Sequence, residues 1–346
     1  MGRHIAFYGL SSELLNLSSR IPGSEGLYFV DEVLGAAYSA ADLRRSSQLD
    51  SLTPMTSLEE AIGSSSDVVF APRYRSIENP EARLQEIRSH LEVLAPFLGK
   101  KTVVNALPVG LGENAQMEEF LSSRMDAKPV YIYAPIEPNG AIKYVGAHRD
   151  QVPKWLLEVT RGEVMGIEDV EAAHINNVLS QTVPLLVRGV AAQGPPVGYV
   201  QEAFSGALEA FLVGATADPG SSAYSVYSLV RRSFDEYAKR LIAALKEAIR
   251  GSGMKISRAR IAVLWTLDEG SARGDELWAF ERLREALAST FVDLNFMRSD
   301  RLLQMERKDV ALICTKLDED AFSRRRFEGR VVVRMLYPRP EVVQAH

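Results

Sequence analysis

The run HIAFYGLSSELLNLSSRIPGSEGLYFVD (residues 4–31) decides the fold. Residues 4–9 and 27–31 are short, apolar and rich in aromatic and β-branched side chains, the composition of buried strands. Residues 11–20 between them carry a helix's apolar spacing. Strand, helix and strand in that length predict a βαβ unit with parallel pairing. The rhythm continues through DVVFA (67–71), TVVNA (102–106) and VYIYA (130–134), with helical stretches at 57–63, where Ser57 stands as a cap, and at 80–97. Residues 1–150 are therefore expected to form a doubly wound domain, a parallel sheet covered on both faces.

The middle of the chain, 151–255, reads as helical. EDVEAAHINNVLSQTVPLLVRGVAAQ predicts a long buried helix with Pro184 as a kink, and YSLVRRSFDEYAKRLIAALKEAIRGSG an amphipathic one stopped by Gly251 and Gly253. From 256 to 346 the strand–helix alternation returns, with strands at 260–266, 291–296, 309–315 and 330–336 and a helix at 275–289. The expected class is α/β, with a helical region between a larger and a smaller α/β part.

Composition bounds the chemistry. The 346 residues are 46% hydrophobic and 25% charged, with a formal net charge of −5 and one cysteine. That cysteine count leaves no disulfide framework and no cysteine-based zinc site. The histidines, at 4, 90, 148, 174 and 346, show no metal-ligand spacing, so no metal is expected. No apolar run reaches the ~18–20 residues of a membrane span, and MGRHIAFYGL lacks a signal peptide's apolar stretch. Slight acidity gives no footprint for nucleic acid. These features predict a cytoplasmic protein that binds neither membrane nor nucleic acid.

The first strand-to-helix turn, opening at Gly9, is where a Rossmann-like sheet holds a dinucleotide's phosphates. The G-x-G-x-x-G pattern is reduced here to Gly9, with Ser11 at the second position and Leu14 at the third. Asp31 ends the second strand roughly 20 residues on, where an acid bonds the adenosine ribose, and its other reading is a turn or cap residue. Arg73 and Arg75 follow a strand's carboxyl end. They suit a phosphate, or equally an ion pair with Glu78 or Glu81. The Arg324-Arg325-Arg326 run reads as a solvated turn, and Arg231 and Arg232 as facing water.

Several runs together resemble the UDP-glucose/GDP-mannose dehydrogenase family. DVVFAPRYR keeps Pro72 of the family's V-P-T-P strand end, and VVNALPVGLGEN (103–114) keeps Pro108, Val109 and Gly110 of its S-T-V-P-V-G-T-T stretch. IYAPIEPNGAIKYVGAH is similar to the segment around a substrate-contacting glutamate, with Glu137 nearest. Arg273 matches the arginine of an R-x-S-P element. The resemblance implies an NAD-binding Rossmann domain, a central helical domain forming a homodimer, and a C-terminal domain binding a nucleotide sugar. Gly9, Ser11, Asp31, Pro72, Arg73, Pro108 and Gly110 would serve the NAD, and Arg273 the nucleotide sugar.

Two family features are missing. The sole cysteine, Cys314, lies in the apolar strand DVALICTKL, and the family's cysteine loop matches PGSSAYSVY (219–227), which puts Tyr227 at the thiol's place. Without a thiolate the second oxidation, from aldehyde to acid, has no nucleophile. On the central helix the family has a lysine three residues after a glutamate and an asparagine four further on. Here Glu171 is followed by His174, Asn177 and Val178. In the C-terminal loop Asp268 and Glu269 stand where a lysine is usual. His174 and Asn177, at i and i+3, share a helix face and can converge on one pocket with His174 as acid–base group. Three readings stay open: a binding paralogue that has lost the thiol-dependent oxidation; a two-electron dehydrogenase acting on a CH–OH group through His174, Asn177 and Glu137; and a structural protein in which His174 is simply packed.

Overall fold

The computed structural model describes residues 4–22, 26–45, 53–74, 79–137, 139–160, 162–191, 195–196, 198–204, 220, 222–266, 274–298, 308–324 and 327–344. The chain divides into two compact units, residues 1–177 with 212–219 and residues 178–211 with 220–346.

Unit 1 contains, in chain order, β1 (Ile5–Tyr8), α1 (Ser12–Ser18), β2 (Leu27–Asp31), β3 (Ala36–Ser39), α2 (Ala40–Arg45), β4 (Thr56–Ser57), α3 (Leu58–Ser64), β5 (Asp67–Phe70), α4 (Pro80–Leu94), β6 (Thr102–Asn105), α5 (Glu113–Arg124), β7 (Val130–Tyr133), β8 (Val145–Gly146), α6 (Lys154–Val159), β9 (Val164–Met165) and the start of α7 (Ile167–Ala191). The strands form one sheet in the order β4-β3-β2-β1-β5-β6-β7-β8-β9. Its centre, β2-β1-β5-β6-β7, is parallel as expected, with Phe7 in register with Phe29 and Val69. These strands have both faces covered by helices, which is why they read as continuous apolar runs.

The edges depart from the all-parallel expectation. β3, β4 and β8 pair antiparallel to their inner neighbours. After β2 the chain reverses in a tight turn: Gly35, at φ +63°, donates its N–H to the Asp31 carbonyl at 2.8 Å, and β3 returns beside β2. Ser57 caps α3 as expected, accepting from the Glu60 N–H at 3.3 Å. The helix expected over 80–97 ends at Leu94 and tightens to a 3₁₀ turn over 95–97. Pro96 sits in that turn and has no N–H with which to continue the α-helical ladder.

In unit 2, α7 ends and is followed by β10 (Gly198–Tyr199), α8 (Val200–Phe204), α9 (Ser222–Gly251), β11 (Arg260–Leu264), α10 (Gly274–Ala288), β12 (Asp293–Met297), β13 (Val310–Ile313), α11 (Lys316–Phe322), β14 (Val331–Arg334), β15 (Leu336–Tyr337) and β16 (Glu341–Gln344). The five-stranded sheet runs β12-β11-β13-β14-β16, parallel except for β16. Helix α9 buries Val230, Phe234, Tyr237, Leu241, Leu245 and Ile249, a stripe at three- and four-residue spacing, while Arg231 and Arg232 face solvent. It ends as a Schellman cap on Gly253 (φ +77°), with Met254 N–H donating to the Ile249 carbonyl at 3.1 Å. α7 stays helical through Pro184.

Candidate functional site

Parallel pairing of five strands places all five carboxyl ends on one edge of unit 1. Asp31 ends β2, Gly9 follows β1, Pro72 and Arg73 follow β5, Pro108 and Gly110 follow β6, and Glu137 follows β7. The chain leaves β1 toward β2 on one side and reaches β5 on the other. Ligands of open α/β sheets bind at such a reversal. Adjacent strands lie about 4.8 Å apart, so β2 to β7 spans about 19 Å.

At that reversal Gly9 adopts φ +125°, and a Cβ on it would fall 2.1 Å from the Ala71 carbonyl oxygen. Only glycine permits the turn to press against the exit of β5. Ser11 caps α1, its Oγ accepting from the Leu14 N–H at 3.2 Å, and the Leu14 side chain is wholly buried. Asp31 Oδ1 accepts from the N–H groups of Val33 (2.8 Å) and Leu34 (3.1 Å) and from Arg73 Nη2 (3.2 Å). Arg73 also donates its backbone N–H and Nε to Glu32 Oε1, at 2.9 and 2.5 Å. Its ion-pair partners are thus Asp31 and Glu32, at the end of β2 across β1, and not Glu81; Arg75 and Glu78 lie outside the described residues. Beneath this pair Tyr8 and His90 bond through OH and Nδ1 at 3.1 Å. Burial first, then the Glu32 and Asp31 carboxylates, push the Tyr8 hydroxyl far up, and burial pushes His90 down.

The 105–114 loop is held from below. Asn105 Nδ2 donates to Asn114 Oδ1 at 2.9 Å and to the Tyr131 hydroxyl at 3.0 Å, and Asn105 Oδ1 accepts from the Leu107 N–H at 3.1 Å. Glu113 accepts from the Gly110 N–H at 2.8 Å and pairs with Arg83, both side chains almost fully buried. Glu171 on α7 accepts from the Gly112 N–H (3.0 Å), the Asn114 N–H (3.3 Å) and Asn114 Nδ2 (2.8 Å). A carboxylate from α7 therefore caps α5. This fixes Pro108 and Gly110 on the carboxyl edge.

Beyond β7 the chain makes a small hairpin. Gly140 N–H donates to the Glu137 carbonyl at 2.8 Å, Ile136 bridges Ile142, and Gly140 takes φ +77°. A Cβ on Gly140 would meet Asn16 Cβ at 2.5 Å and Leu17 N at 2.7 Å, and Arg20 Nη2 donates to the Asn139 carbonyl at 3.0 Å, so the hairpin sits on α1. Glu137 and Lys143 lie diagonally on one face of it. Lys143 Nζ is 2.5 Å from Glu137 Oε1 and donates to Asn177 Oδ1 at 3.3 Å, while Asn177 Nδ2 reaches Glu137 Oε1 at 3.4 Å. His174, one turn before Asn177, is buried. Its pKa is pushed down to about 4, chiefly by burial, with Glu137 opposing and Lys143 adding to the fall.

The structure thus brings Glu137, His174 and Asn177 to one place, and adds Lys143, which sequence reading passed over. A signal was available: Pro138-Asn139-Gly140 between Ile136 and Ile142 is turn chemistry between strand-forming residues. In unit 2, Arg273, Asp268 and Glu269 lie outside the described residues, and Tyr227 is buried on α9. Cys314 is fully buried, with Sγ 3.2 Å from Met335 Sδ, and burial raises its thiol pKa well above the usual range. We expect native protein to be inert to an aromatic disulfide reagent and to release one thiol equivalent per chain only on denaturation. Stoichiometric reaction of the native form would show Cys314 to be accessible. Among the described residues no group of three His, Cys, Asp or Glu side chains is placed for a metal, and no helix is long and apolar enough to cross a membrane.

No protein-family model matches the chain, and no curated protein matches it. Solved structures do. The UDP-D-ManNAc dehydrogenase of Pyrococcus horikoshii superposes with TM-score 0.62 at 13% identity, covering 96% of this chain and 95% of that one. The UDP-glucose dehydrogenase of Pyrobaculum islandicum gives TM-score 0.61 at 13% identity over 97% and 95%. The UDP-N-acetyl-mannosamine dehydrogenase of Staphylococcus aureus gives 0.53 at 12% over 96% and 94%. The chain is similar to these UDP-sugar dehydrogenases in fold, and the similarity runs nearly end to end.

Proposed function

We propose that this chain is a nicotinamide-dependent dehydrogenase of the nucleotide-sugar type that carries out a two-electron oxidation of CH–OH to C=O. The observation that carries the reading is the meeting of Glu137, Lys143, His174 and Asn177 beside β7, on a sheet whose other strand ends present Gly9, Asp31 and the 108–110 turn. What supports a dinucleotide here is position: Gly9 lets the β1–α1 turn close tightly against the exit of β5, and Asp31 stands at the end of β2. Gly9, Ser11, Asp31, Pro72, Arg73, Pro108 and Gly110 would hold NAD, which supplies the hydride acceptor when bound. His174, uncharged in the resting site, takes the alcohol proton, and Asn177 and Glu137 orient the hydroxyl. With Cys314 buried in the core of unit 2 and Tyr227 in the thiol's expected place, oxidation stops at the carbonyl.

On the same reading residues 1–150 bind the dinucleotide, 151–255 pair with a second copy as a homodimer, and 256–346 take the nucleotide sugar through Arg273. The protein works in the cytoplasm. The test is NADH formation from NAD and a panel of UDP-hexoses, with thermal shift by NAD and NADH as the binding control. Absence of both NADH formation and any thermal shift would refute the proposal. That outcome would favour the reading of a ligand-free paralogue, for which the buried Leu14 and the Ser11 cap speak.

A further inference from the structure

We infer that Lys143 is a catalytic residue, the cation that receives the substrate's reacting oxygen as it becomes an alkoxide, delivered from the hairpin after β7 and not from the central helix. The inference rests on the dehydrogenase reading above. An ammonium has three N–H donors. Two are used, by Glu137 Oε1 and Asn177 Oδ1, and among the described residues no third acceptor reaches it. The side chain is 42% exposed, whereas that of Glu137 is 16% exposed. The head group is therefore anchored from behind and open in front.

An ordinary surface ion pair contributes about 0–1 kcal/mol and needs no built seat. Lys143 has one. A Cβ on Gly162 would fall 1.4 Å from the Lys143 carbonyl oxygen, so the chain at 162 must lack a side chain for Lys143 to lie where it does. The preceding residue, Ile142, is bridged on both sides, to Ile136 and to Thr160. The backbone is thus clamped while the ammonium faces outward. The cluster also needs a cation. The buried His174 imidazole is a weak base, and it removes an alcohol proton effectively only where the alkoxide is stabilised as it forms. In the step, the O–H bond breaks and its proton passes to His174. With NAD bound, the C–H bond would then break and its electron pair leave as hydride to that acceptor, while the C=O bond forms with its oxygen against Lys143 Nζ.

The experiment compares wild type with K143M and K143R, using NAD and the UDP-hexose panel. K143M is expected to lower kcat by about 100-fold or more, the effect of deleting one oxyanion donor, with KM changed much less. K143R, which keeps the charge, should recover at least part of the loss. Melting curves of both variants should match wild type, because the head group is at the surface. A K143M kcat within threefold of wild type overturns the inference while leaving the dehydrogenase reading intact. Where wild type forms no NADH, reductive methylation of Lys143 followed by peptide mass spectrometry replaces turnover. Protection by UDP-glucose with NAD then places Lys143 at the bound substrate. Equal labelling at ligand concentrations that shift the melting temperature overturns the inference, whereas equal labelling with no such shift refutes the dehydrogenase reading on which it rests, and the inference with it.

Discussion

Replacing Arg83 by leucine is expected to lower the unfolding free energy by about 3–5 kcal/mol, the usual consequence of removing one member of a buried ion pair. Arg83 and Glu113 are 1% and 2% exposed. Without the guanidinium, the Glu113 carboxylate stays in a dry site where, among the described residues, only the Gly110 N–H bonds it. Desolvation of the orphaned charge, more than the lost attraction, sets the size of the effect. The double variant R83L/E113L should therefore be more stable than R83L alone, because no unpaired charge remains. Urea unfolding of the wild type, both single variants and the double variant measures this directly. A loss below 1 kcal/mol in R83L would show that the pair is already hydrated. Because Glu113 also closes the turn before α5, R83L should, on the proposed function, weaken thermal stabilisation by NAD as well.

The second large effect is a loss of stability in acid through His174. Its pKa is about 4 in the folded protein against 6.5 for the free side chain. The unfolded chain thus binds the proton more readily than the native one. The contribution of this group is complete above pH 6.5. It falls as pH drops from 6.5 toward 4, and levels off below that. The whole span corresponds to about 3 kcal/mol. Replacing His174 with glutamine removes a titrating group from this window, so the variant's stability curve should be flatter than wild type between pH 6.5 and 4. Parallel curves would show that the imidazole is already protonated or solvated in the native state.

Much of this could be read along the chain, and what could not has a common cause. The five central strands were legible because burial on both faces forces unbroken apolar runs. β3 was not: GAAYSA offers small residues whose pairing is set by the Gly35 turn. Helix α5 escaped because its face is mostly polar, with only Met117 and Leu121 as buried apolar residues. Of the site, Gly9, Asp31, Pro72, Arg73, Pro108, Gly110 and Glu137 were placed on one edge by strand order alone. Their partners were not visible. Arg73 meets Glu32, 41 residues away, and Glu171 caps a helix 57 residues before it. Local charge spacing pointed instead to Glu78 and Glu81. Lys143 gains its meaning only when the hairpin folds back toward α7.

Helix α1 has seven residues and touches chemistry at both ends. Its first turn follows Gly9, while Asn16 and Leu17 in its last turn, with Arg20 just beyond it, form the saddle on which Gly140 and Asn139 rest. Inserting one residue into α1 would rotate that saddle by about 100° relative to the first turn. Glu137 and Lys143 would lose their footing even though neither had been altered. The contacts at its two ends thus tie down the length and phase of this helix. The β1–α1 turn and the Glu137–Lys143 hairpin are geared together through a single short axle.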